Sequence, residues 1–288
     1  MFQILNTLDR RWVFLAMALA VAIPILLGIG ATEQPTAQTQ RMFDYIEALP
    51  AGSRVLMALD YDPSSEAELT PMAFSFTRHC CLKRHKLYFL TLWPSGPPML
   101  DKTISKIVLG EFGSGARPMK YGEDYLNLGY FPGEFGAVNP ICSNLRQSKS
   151  QDSKGISLNE LPMMNGVNGG KDMQLIVNVS GGYPGAKEWV QYGSTPHKIP
   201  MGAGCTGVQA TQLFPYHPNQ LVGLVAAIRG AAEYEAILAS VYPQYTELRW
   251  RDGTRRMGAQ QWAHRLMIGL ILLGNAVHFA SRRGRGRR

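Results

Sequence analysis

The sequence predicts an α/β domain with a doubly wound, mainly parallel sheet, flanked by N- and C-terminal transmembrane helices. Short apolar segments alternate with segments of helical periodicity, which is the pattern of strands and crossover helices in a parallel sheet. Trp12–Ala31 contains no charged residue and, as a helix, is long enough to cross a hydrocarbon core of roughly 30 Å. Gln261–Ala280 is a second apolar segment close to the C-terminus.

The first half of the predicted domain reads as strand, helix, strand, helix. Arg54–Tyr61 and Lys86–Trp93 are nearly continuous apolar runs, as expected for strands that are covered on both faces. Ser65 and Glu68 have the spacing of a capping box at the start of the helix that follows the first strand. Apolar residues at helical spacing also follow the second strand, so two crossover helices are expected here.

The second half is less regular. Tyr125–Tyr130, Met173–Val179 and Ile199–Ala203 are predicted strands. Residues 139–170 are rich in Asn, Ser and Gly with little periodicity, which favours a long excursion or flap. From Asn219 onward, the run LVGLVAAIRGAAEYEAIL is predicted to form one long helix.

These patterns divide the chain into seven segments. The predicted segments are a cytoplasmic N-terminus (1–11), a transmembrane helix (12–31), a tether with a short helix (32–50), an extracytoplasmic α/β domain (51–248), a juxtamembrane segment (249–260), a second transmembrane helix (261–280) and a basic cytoplasmic tail (281–288).

Each predicted span has an alternative. The first could be a cleaved signal peptide, although its apolar core is longer than the usual one. The second is interrupted by Arg265, Asn275 and His278, so it could be a buried or interfacial amphipathic helix instead. Arg265 can extend to the membrane interface, and Asn275 could bond another helix.

The placement of arginines predicts the topology. Arg10 and Arg11 precede the first span and an arginine-rich tail follows the second, so the positive-inside rule places both termini in the cytoplasm and the domain outside the cell membrane. Four arginines just before the second span weaken this asymmetry: Arg249, Arg251, Arg255 and Arg256.

The net charge of +8 is concentrated in the C-terminal tail, so it does not predict nucleic-acid binding. The expected partners are membrane lipids, together with other membrane protein subunits or further copies of the chain. The tail residues predicted to meet anionic lipid headgroups are Arg282, Arg283, Arg285, Arg287 and Arg288.

Candidate ligand-binding residues follow the predicted strands, because open α/β sheets bind ligands beyond the carboxyl ends of their strands. The acids could equally cap the following helix, and the glycine-rich SGGYPG segment could be a plain turn. It lacks the GxGxxG and GxxxxGK[ST] patterns of nucleotide sites, and no cofactor is assigned. The candidates are Asp60, Asp62, Trp93, Ser95, Gly181, Gly182 and Gly185.

The four cysteines could in principle form a metal site, a disulfide or a catalytic nucleophile. No paired CxxC motif predicts a metal site. An extracytoplasmic location permits a Cys142–Cys205 disulfide, while unpaired buried cysteines are at least as consistent with the sequence. Cys205 with His197 or His217 could form a nucleophile and base, but no flanking motif supports that pair.

Small residues along the predicted helix after Asn219 permit close approach of another helix. If that face is exposed, it is a candidate partner surface; the alternative is tight packing against the sheet. The predicted helix-packing residues are Gly223, Ala227, Gly230 and, in the second span, Asn275.

Several segments resemble a family of uncharacterised prokaryotic membrane proteins with one anchor near each end and an α/β domain. The resemblance implies the architecture and leaves the activity open. The two-anchor arrangement and the DYDP sequence are similar, more remotely, to GldG-like auxiliary proteins of ABC transport systems. The resembling segments are LDRR (Leu8–Arg11), ALDYDP (Ala58–Pro63), TLWPSG (Thr91–Gly96), YGEDYLNLGYFPG (Tyr121–Gly133) and GLVAAIRGAAEYE (Gly223–Glu235).

The leading functional prediction is a non-enzymatic structural or interaction subunit of a multi-subunit membrane assembly, with the α/β domain mediating protein contacts. The alternative is an extracytoplasmic ligand-binding sensor or transport accessory protein that uses the crevice at the strand ends. A hydrolase using Cys205 or the acids ranks third, because the sequence assigns no base and no orienting group.

Overall fold

The structure, a computed structural model, describes residues 9–31 and 33–285, with side chains to residue 279. The part of the chain that it describes contains six strands, each preceded or followed by helix. The strands are β1 (Arg54–Asp60), β2 (Lys86–Thr91), β3 (Tyr125–Tyr130), β4 (Leu175–Ser180), β5 (Met201–Cys205) and β6 (Gly223–Ala226).

Nine helices are described, two of which change to π-helix within their length. They are α1 (Arg10–Leu27), α2 (Ala37–Ala48), α3 (Glu66–Leu82), α4 (Pro97–Thr103, continued by a π-helical Ile104–Leu109 and by Gly110–Phe112), α5 (Val138–Ser148), α6 (Ala186–Glu188, continued by a π-helical Trp189–Ser194 and by Thr195–His197), α7 (Gly207–Leu213), α8 (Ala227–Val241) and α9 (Asp252–Arg285).

All five strand pairings are parallel, and the strand order is β3-β2-β1-β4-β5-β6. This confirms the predicted doubly wound α/β sheet. The chain moves outward from β1 to β3 and then returns to β4 on the other side of β1. The order therefore reverses between β1 and β4, where such folds leave a crevice at the carboxyl ends of the strands.

The sheet is buried on both faces, which is why its strands are apolar at almost every position. Helices α2, α3, α4 and α8 cover one face, with Phe76 and Tyr234 in that core layer. Helices α5, α6 and α7 cover the other face, where Trp189 is fully buried. The segment predicted as a tether with a short helix contains α2, whose Met42 and Ile46 are part of the first core layer.

The predicted long helix after Asn219 is wrong in its first part. Gly223–Ala226 is the edge strand β6, paired with β5, and the helix begins only at Ala227. A Cβ on Gly223 would lie 2.5 Å from the backbone of Met42, and one on Gly230 would lie 3.0 Å from Val225. These small residues therefore pack inside the domain, in line with the alternative of tight internal packing. Ala227, at the junction between β6 and α8, adopts a φ of 58°.

Residues 139–170 are also more ordered than predicted. Helix α5 begins at Val138 and covers the first part of the segment, and the remainder packs Met163, Met164 and Val167 into the core. Asp152 organises the connecting turn by accepting hydrogen bonds from the backbone of residues 154 and 156 at 2.8 and 2.9 Å. Local side-chain-to-backbone bonds of this kind leave no hydrophobic period in the sequence.

The predicted capping box is not formed. Ser65 makes no side-chain capping bond. Glu68 instead accepts a bond from the Gly207 amide at 2.9 Å, across 139 residues of sequence. Asp62 instead caps the short 3-10 helix Pro63–Ser65 that precedes α3, by accepting from the amide of Ser65.

Within the described residues, Arg10–Leu27 is the one helix that is long and apolar enough to cross a membrane by length and mean hydropathy. The predicted second span, Gln261–Ala280, lies inside α9, a continuous helix that also includes most of the predicted juxtamembrane segment. Asn275 is exposed on α9. The side chains of Arg282, Arg283, Arg285, Arg287 and Arg288 lie outside the described residues.

Helices α1 and α9 pack against each other. The amide of Ala31, just after α1, donates to the carbonyl of Thr254 at 3.1 Å, and a Cβ on Gly258 would lie 1.9 Å from the carbonyl oxygen of Ile29. The end of α1 thus meets the beginning of α9, so the two helices run antiparallel. We call them the anchor pair.

Helix α9 is fastened to the domain through α8. The carboxylate of Glu235 accepts bonds from the amides of Gly253 and Thr254, both at 2.8 Å, and from the Thr254 hydroxyl at 2.9 Å. A Cβ on Gly253 would lie 2.9 Å from that of Ala231, so glycine permits this close approach.

Candidate functional site

Asp60, at the carboxyl end of β1, is fully buried. Its carboxylate accepts three hydrogen bonds, each of 2.7 Å, from the amide of Leu92, the amide side chain of Asn178 and the indole of Trp189. Burial raises the pKa of Asp60 to about 7 even though these donors act in the opposite direction. The carboxylate therefore joins three elements in the interior and does not face the crevice.

Asp62 lies partly exposed just beyond β1. It accepts bonds from the Ser64 hydroxyl at 2.7 Å and from the Ser65 amide at 3.2 Å, and these bonds, that from the Ser64 hydroxyl first, lower its pKa. Its place in the structure is that of a cap for the short 3-10 helix Pro63–Ser65. Ser95 is exposed in the loop after β2.

The glycine-rich loop after β4 packs closely against the loops after β1 and β2. The indole of Trp93 donates to the carbonyl of Pro184 at 2.7 Å, and a Cβ on Gly182 would lie 3.2 Å from the same ring. A Cβ on Gly181 would lie 2.8 Å from the Ser65 hydroxyl. The structure thus brings most of the predicted residues together, but Ser65 and Trp93 fill the space between β1 and β4.

Gly185 has a different role in the same loop. Its amide donates to the carboxylate of Glu188 at 2.8 Å, and this bond caps the N-terminus of α6. A Cβ at this position would lie 2.4 Å from the Gly182 carbonyl oxygen, so only glycine fits the turn.

The open space lies one strand further along, between the loops after β4 and β5. A cavity of about 310 Å³ opens there at the carboxyl edge of the sheet, within the size range of small-molecule sites. We call it the β4–β5 crevice. Its lining residues are Gly181, Gly182, Tyr183, Lys187, Glu188, Thr206, Val208, Gln209 and Gln212.

Gln209, in the first turn of α7, is the best-defined polar group of the β4–β5 crevice. Its amide nitrogen donates to the carbonyl of Gly182 at 2.7 Å, which fixes the orientation of the side chain. Its Oε1 is buried and has no hydrogen-bond partner among the described residues. A buried acceptor without a partner costs about 1–3 kcal/mol, so a donor from a ligand would be favourable here.

Sequence reasoning identified two of the crevice residues, Gly181 and Gly182, and missed the side chains that surround them. Lys187, Gln209 and Gln212 all lie in the first two turns of helices that follow β4 and β5. The signal that could have found them is their position directly after predicted strands of a parallel sheet.

Cys205 does not have the environment of a nucleophile. Burial raises the pKa of its thiol to about 12, and the nearby charge of Glu68 acts in the same direction. His197 is bonded to the side-chain oxygen of Asn139 at 2.8 Å. Cys205 is free and so is Cys142, so the permitted disulfide is not formed. Within residues 9–31 and 33–285, no group of three His, Cys, Asp or Glu side chains could hold a metal ion.

Comparison with known proteins gives few matches. No protein-family model and no curated protein matches the chain. Among solved structures, it is similar to the α,α-trehalose 6-phosphate synthase of Burkholderia multivorans (11% identity, TM-score 0.32, covering 93% of this chain and 49% of that one). It is also similar to the UDP-forming α,α-trehalose-phosphate synthase of Burkholderia vietnamiensis (11% identity, TM-score 0.33, covering 92% and 50%). The chain spans about half the length of these structures.

The prediction of a non-enzymatic structural subunit is corrected at this point. The solved structures similar to the chain are those of enzymes. The small residues that motivated the prediction are, moreover, buried inside the domain: Gly223 lies in β6 against Met42 of α2, and Gly230 lies against Val225 of β6. The similarity to the synthases is too distant to assign this chain a reaction or a substrate.

Proposed function

We propose that this chain is a membrane-anchored protein whose α/β domain binds a small polar ligand with several hydroxyl groups in the β4–β5 crevice. The observation that carries the proposal is Gln209, whose buried Oε1 requires a donor that the described residues do not supply. Such a residue is expected where a bound molecule completes the hydrogen bonds.

The other crevice side chains indicate the kind of ligand. The Thr206 hydroxyl and the Gln212 amide both donate and accept, and the Lys187 ammonium donates only. Tyr183 is exposed at the rim and offers an aromatic face. Hydroxyl groups both donate and accept, so a molecule that carries several of them matches this mixture.

The proposed membrane attachment is the anchor pair. Both helices carry many exposed apolar side chains, as expected for helices that contact lipid, although α9 also exposes Arg265 and Asn275. Arg10 and Arg11 at the start of α1 support a topology with both termini in the cytoplasm and the domain outside. The exposed apolar residues include Trp12, Phe14, Leu19, Ile23 and Leu26 on α1 and Met267, Ile268, Ile271, Leu272 and Phe279 on α9.

Attachment is tested on membranes that contain the full-length chain. Washing with alkaline carbonate should leave the protein in the membrane pellet, because two apolar helices stay in the bilayer when peripheral contacts are broken. Release into the supernatant would contradict the anchor pair. Protease added to sealed vesicles, with and without detergent, then reports on which side the domain lies.

Ligand binding is tested by thermal unfolding of the full-length chain in mild detergent, with glucose, myo-inositol and glycerol as hydroxyl-bearing probes. A ligand at a hundred times its Kd should stabilise the folded state by about 2.7 kcal/mol. Gln209→Leu should remove that shift while leaving the fold intact. Gln244→Leu is the matched control, because Gln244 is exposed and remote from the crevice. No shift with any probe, or an equal shift in both variants, would count against the proposal.

A further inference from the structure

Helix α9 leaves the domain at the carboxyl edge of the sheet. The guanidinium of Arg256 donates to the carbonyl of Ala67 at 2.9 Å, and Ala67 is in the first turn of α3, directly after β1. A cavity of about 390 Å³ is lined by Arg256 and Gln260 on α9 and by Ala227, the residue after β6. The segment from Arg256 to Gln260 thus lies level with the ends of the strands, and the rest of α9 continues beyond them.

The first apolar helix reaches the same level. Ile29 and Gly30, just after α1, lie against Gly258 and Thr254, so the chain that follows α1 lies beside the first two turns of α9. The apolar part of α1 extends to Leu27. At about 1.5 Å per residue, the apolar surface of the anchor pair therefore begins within one or two turns of the domain. A bilayer around these helices would lie directly against the carboxyl edge.

The loops at this edge carry exposed apolar side chains. Val208, the second residue of α7, is 83% exposed, and Tyr183, in the loop after β4, is 58% exposed. Phe135, beyond β3, has its ring 6.2 Å from that of Tyr183 and 5.2 Å from that of Tyr192. Tyr183 and Val208 follow the adjacent strands β4 and β5, Phe135 follows the edge strand β3, and Tyr192 lies in the π-helical part of α6; all four side chains are exposed. We call them the edge patch: Phe135, Tyr183, Tyr192 and Val208.

We propose that the edge patch rests on the membrane surface, with its apolar side chains at the boundary between lipid headgroups and acyl chains. This inference rests on the proposed membrane attachment. Aromatic residues are enriched at this depth, and Lys187, exposed beside Tyr183 in the crevice, suits the headgroup layer. Because Tyr183 and Val208 also line the β4–β5 crevice, the crevice opens toward the bilayer.

A lipid surface accounts for the edge patch because the patch begins beside the point where α9 leaves the domain. A Cβ on Gly207, next to Val208, would lie 3.4 Å from that of Ala227, which lines a cavity together with Arg256 and Gln260 of α9. The anchor pair is attached to the domain through the contacts of Glu235 and Ala231 on α8 with Gly253 on α9. A patch that is held against the membrane in this way contacts lipid without any further binding partner.

The experiment uses the full-length chain with a nitroxide label in phosphatidylcholine–phosphatidylglycerol vesicles. The variants are Val208→Cys at the edge patch and Val241→Cys as its matched control. Val241 is 48% exposed at the far end of α8, which begins at the carboxyl edge and runs to the opposite edge. There, the adjacent Tyr242 bonds Glu47, which precedes β1. The four native cysteines are buried, so unmodified chain serves as the labelling blank.

The readout is the accessibility of each nitroxide to oxygen, which concentrates in lipid, relative to a water-soluble nickel complex. We expect this ratio to be several-fold higher at position 208 than at position 241. Equal ratios would overturn the inference, and so would a label at 208 that neither reagent reaches, since that result indicates a covering protein. Carbonate washing of the same vesicles separates the two proposals. Protein that stays in the membrane with a water-exposed label at position 208 would contradict the contact between the edge patch and lipid, and it would leave the proposed membrane attachment standing.

Discussion

Two buried carboxylates, Asp60 and Glu235, have similar electrostatic environments and connect different parts of the molecule. Each accepts three hydrogen bonds, and burial raises the pKa of each to about 7. The donors to Asp60 lie just after β2, in β4 and in α6. The donors to Glu235 belong to two consecutive residues in the first turn of α9.

The difference lies in what each carboxylate holds together. Asp60 connects the end of β1 to the residue after β2, to β4 and to α6, which are far apart in the sequence, so its loss affects the structure on which the domain depends. Glu235 connects α8 to α9, so its loss affects the position of α9 more than the sheet. Equal numbers of hydrogen bonds can therefore serve either global stability or a local junction.

Replacing Asp60 should have the largest effect. Asp60→Ala leaves three buried donors without an acceptor, and we expect it to lower the free energy of unfolding by at least about 3 kcal/mol. The measurement is urea unfolding in mild detergent, followed by tryptophan fluorescence. Asp62→Ala is the control and should cost at most about 1 kcal/mol, because Asp62 is a partly exposed cap. Equal costs for the two variants would contradict the role assigned to Asp60.

Replacing Glu235 should have an intermediate and local effect. Glu235→Ala removes the acceptor for the first amides of α9, which we expect to cost about 1–3 kcal/mol at that junction. Hydrogen exchange should accelerate at Gly253 and Thr254 while the strands keep their protection. Glu247→Ala is the control, since that residue is exposed and pairs only with Arg249 in the described structure. Uniformly faster exchange across the sheet would show that Glu235 supports the whole domain.

The smallest expected effect is the pH dependence that the two carboxylates share. Their pKa values are raised to about 7 in the folded chain, while in the unfolded chain they are near 4, so the folded state binds more protons between these values. Stability should therefore fall as pH rises, by about 1 kcal/mol per carboxylate between roughly pH 6.5 and 8.

A buried histidine limits the useful pH window. Burial lowers the pKa of His79 to about 4, so its contribution to stability is lost as pH falls below about 6.5. The pKa values of His85 and His217 are also lowered by burial, so histidines still contribute just above that pH. The contribution of the carboxylates is therefore read from the difference between the unmodified chain and variants of the two carboxylates. The free energy of unfolding should fall less steeply with rising pH in Asp60→Asn and in Glu235→Gln than in the unmodified chain. An unchanged slope in both variants would show that other groups take up the protons.

The fold could be predicted well where a segment is buried on both faces. β1, β2 and β4 are apolar throughout because helices cover the sheet on each side, and this pattern is visible in a single sequence. β6 was missed because Gly223–Ala226 is short and continues without a break into an amphipathic helix. Its strand pairing with β5 depends on residues distant in the sequence, which local periodicity does not report.

The candidate site could be predicted only in outline. Strand-end logic brought Asp60, Trp93 and the glycine-rich loop to one edge of the sheet, where the structure places them. It did not distinguish a carboxylate that faces a crevice from one that is enclosed by donors. That distinction depends on Trp189 and Asn178, which lie 129 and 118 residues from Asp60 in the sequence.

By itself, the sequence determined that this chain has a parallel α/β sheet and an apolar N-terminal helix, because both depend on hydrophobicity within short windows. The tertiary structure decided where the open crevice lies, which small residues are buried and from which edge of the sheet the anchor pair leaves. These properties depend on which side chains fill the space between distant segments, and close packing of that kind is a property of the folded chain as a whole.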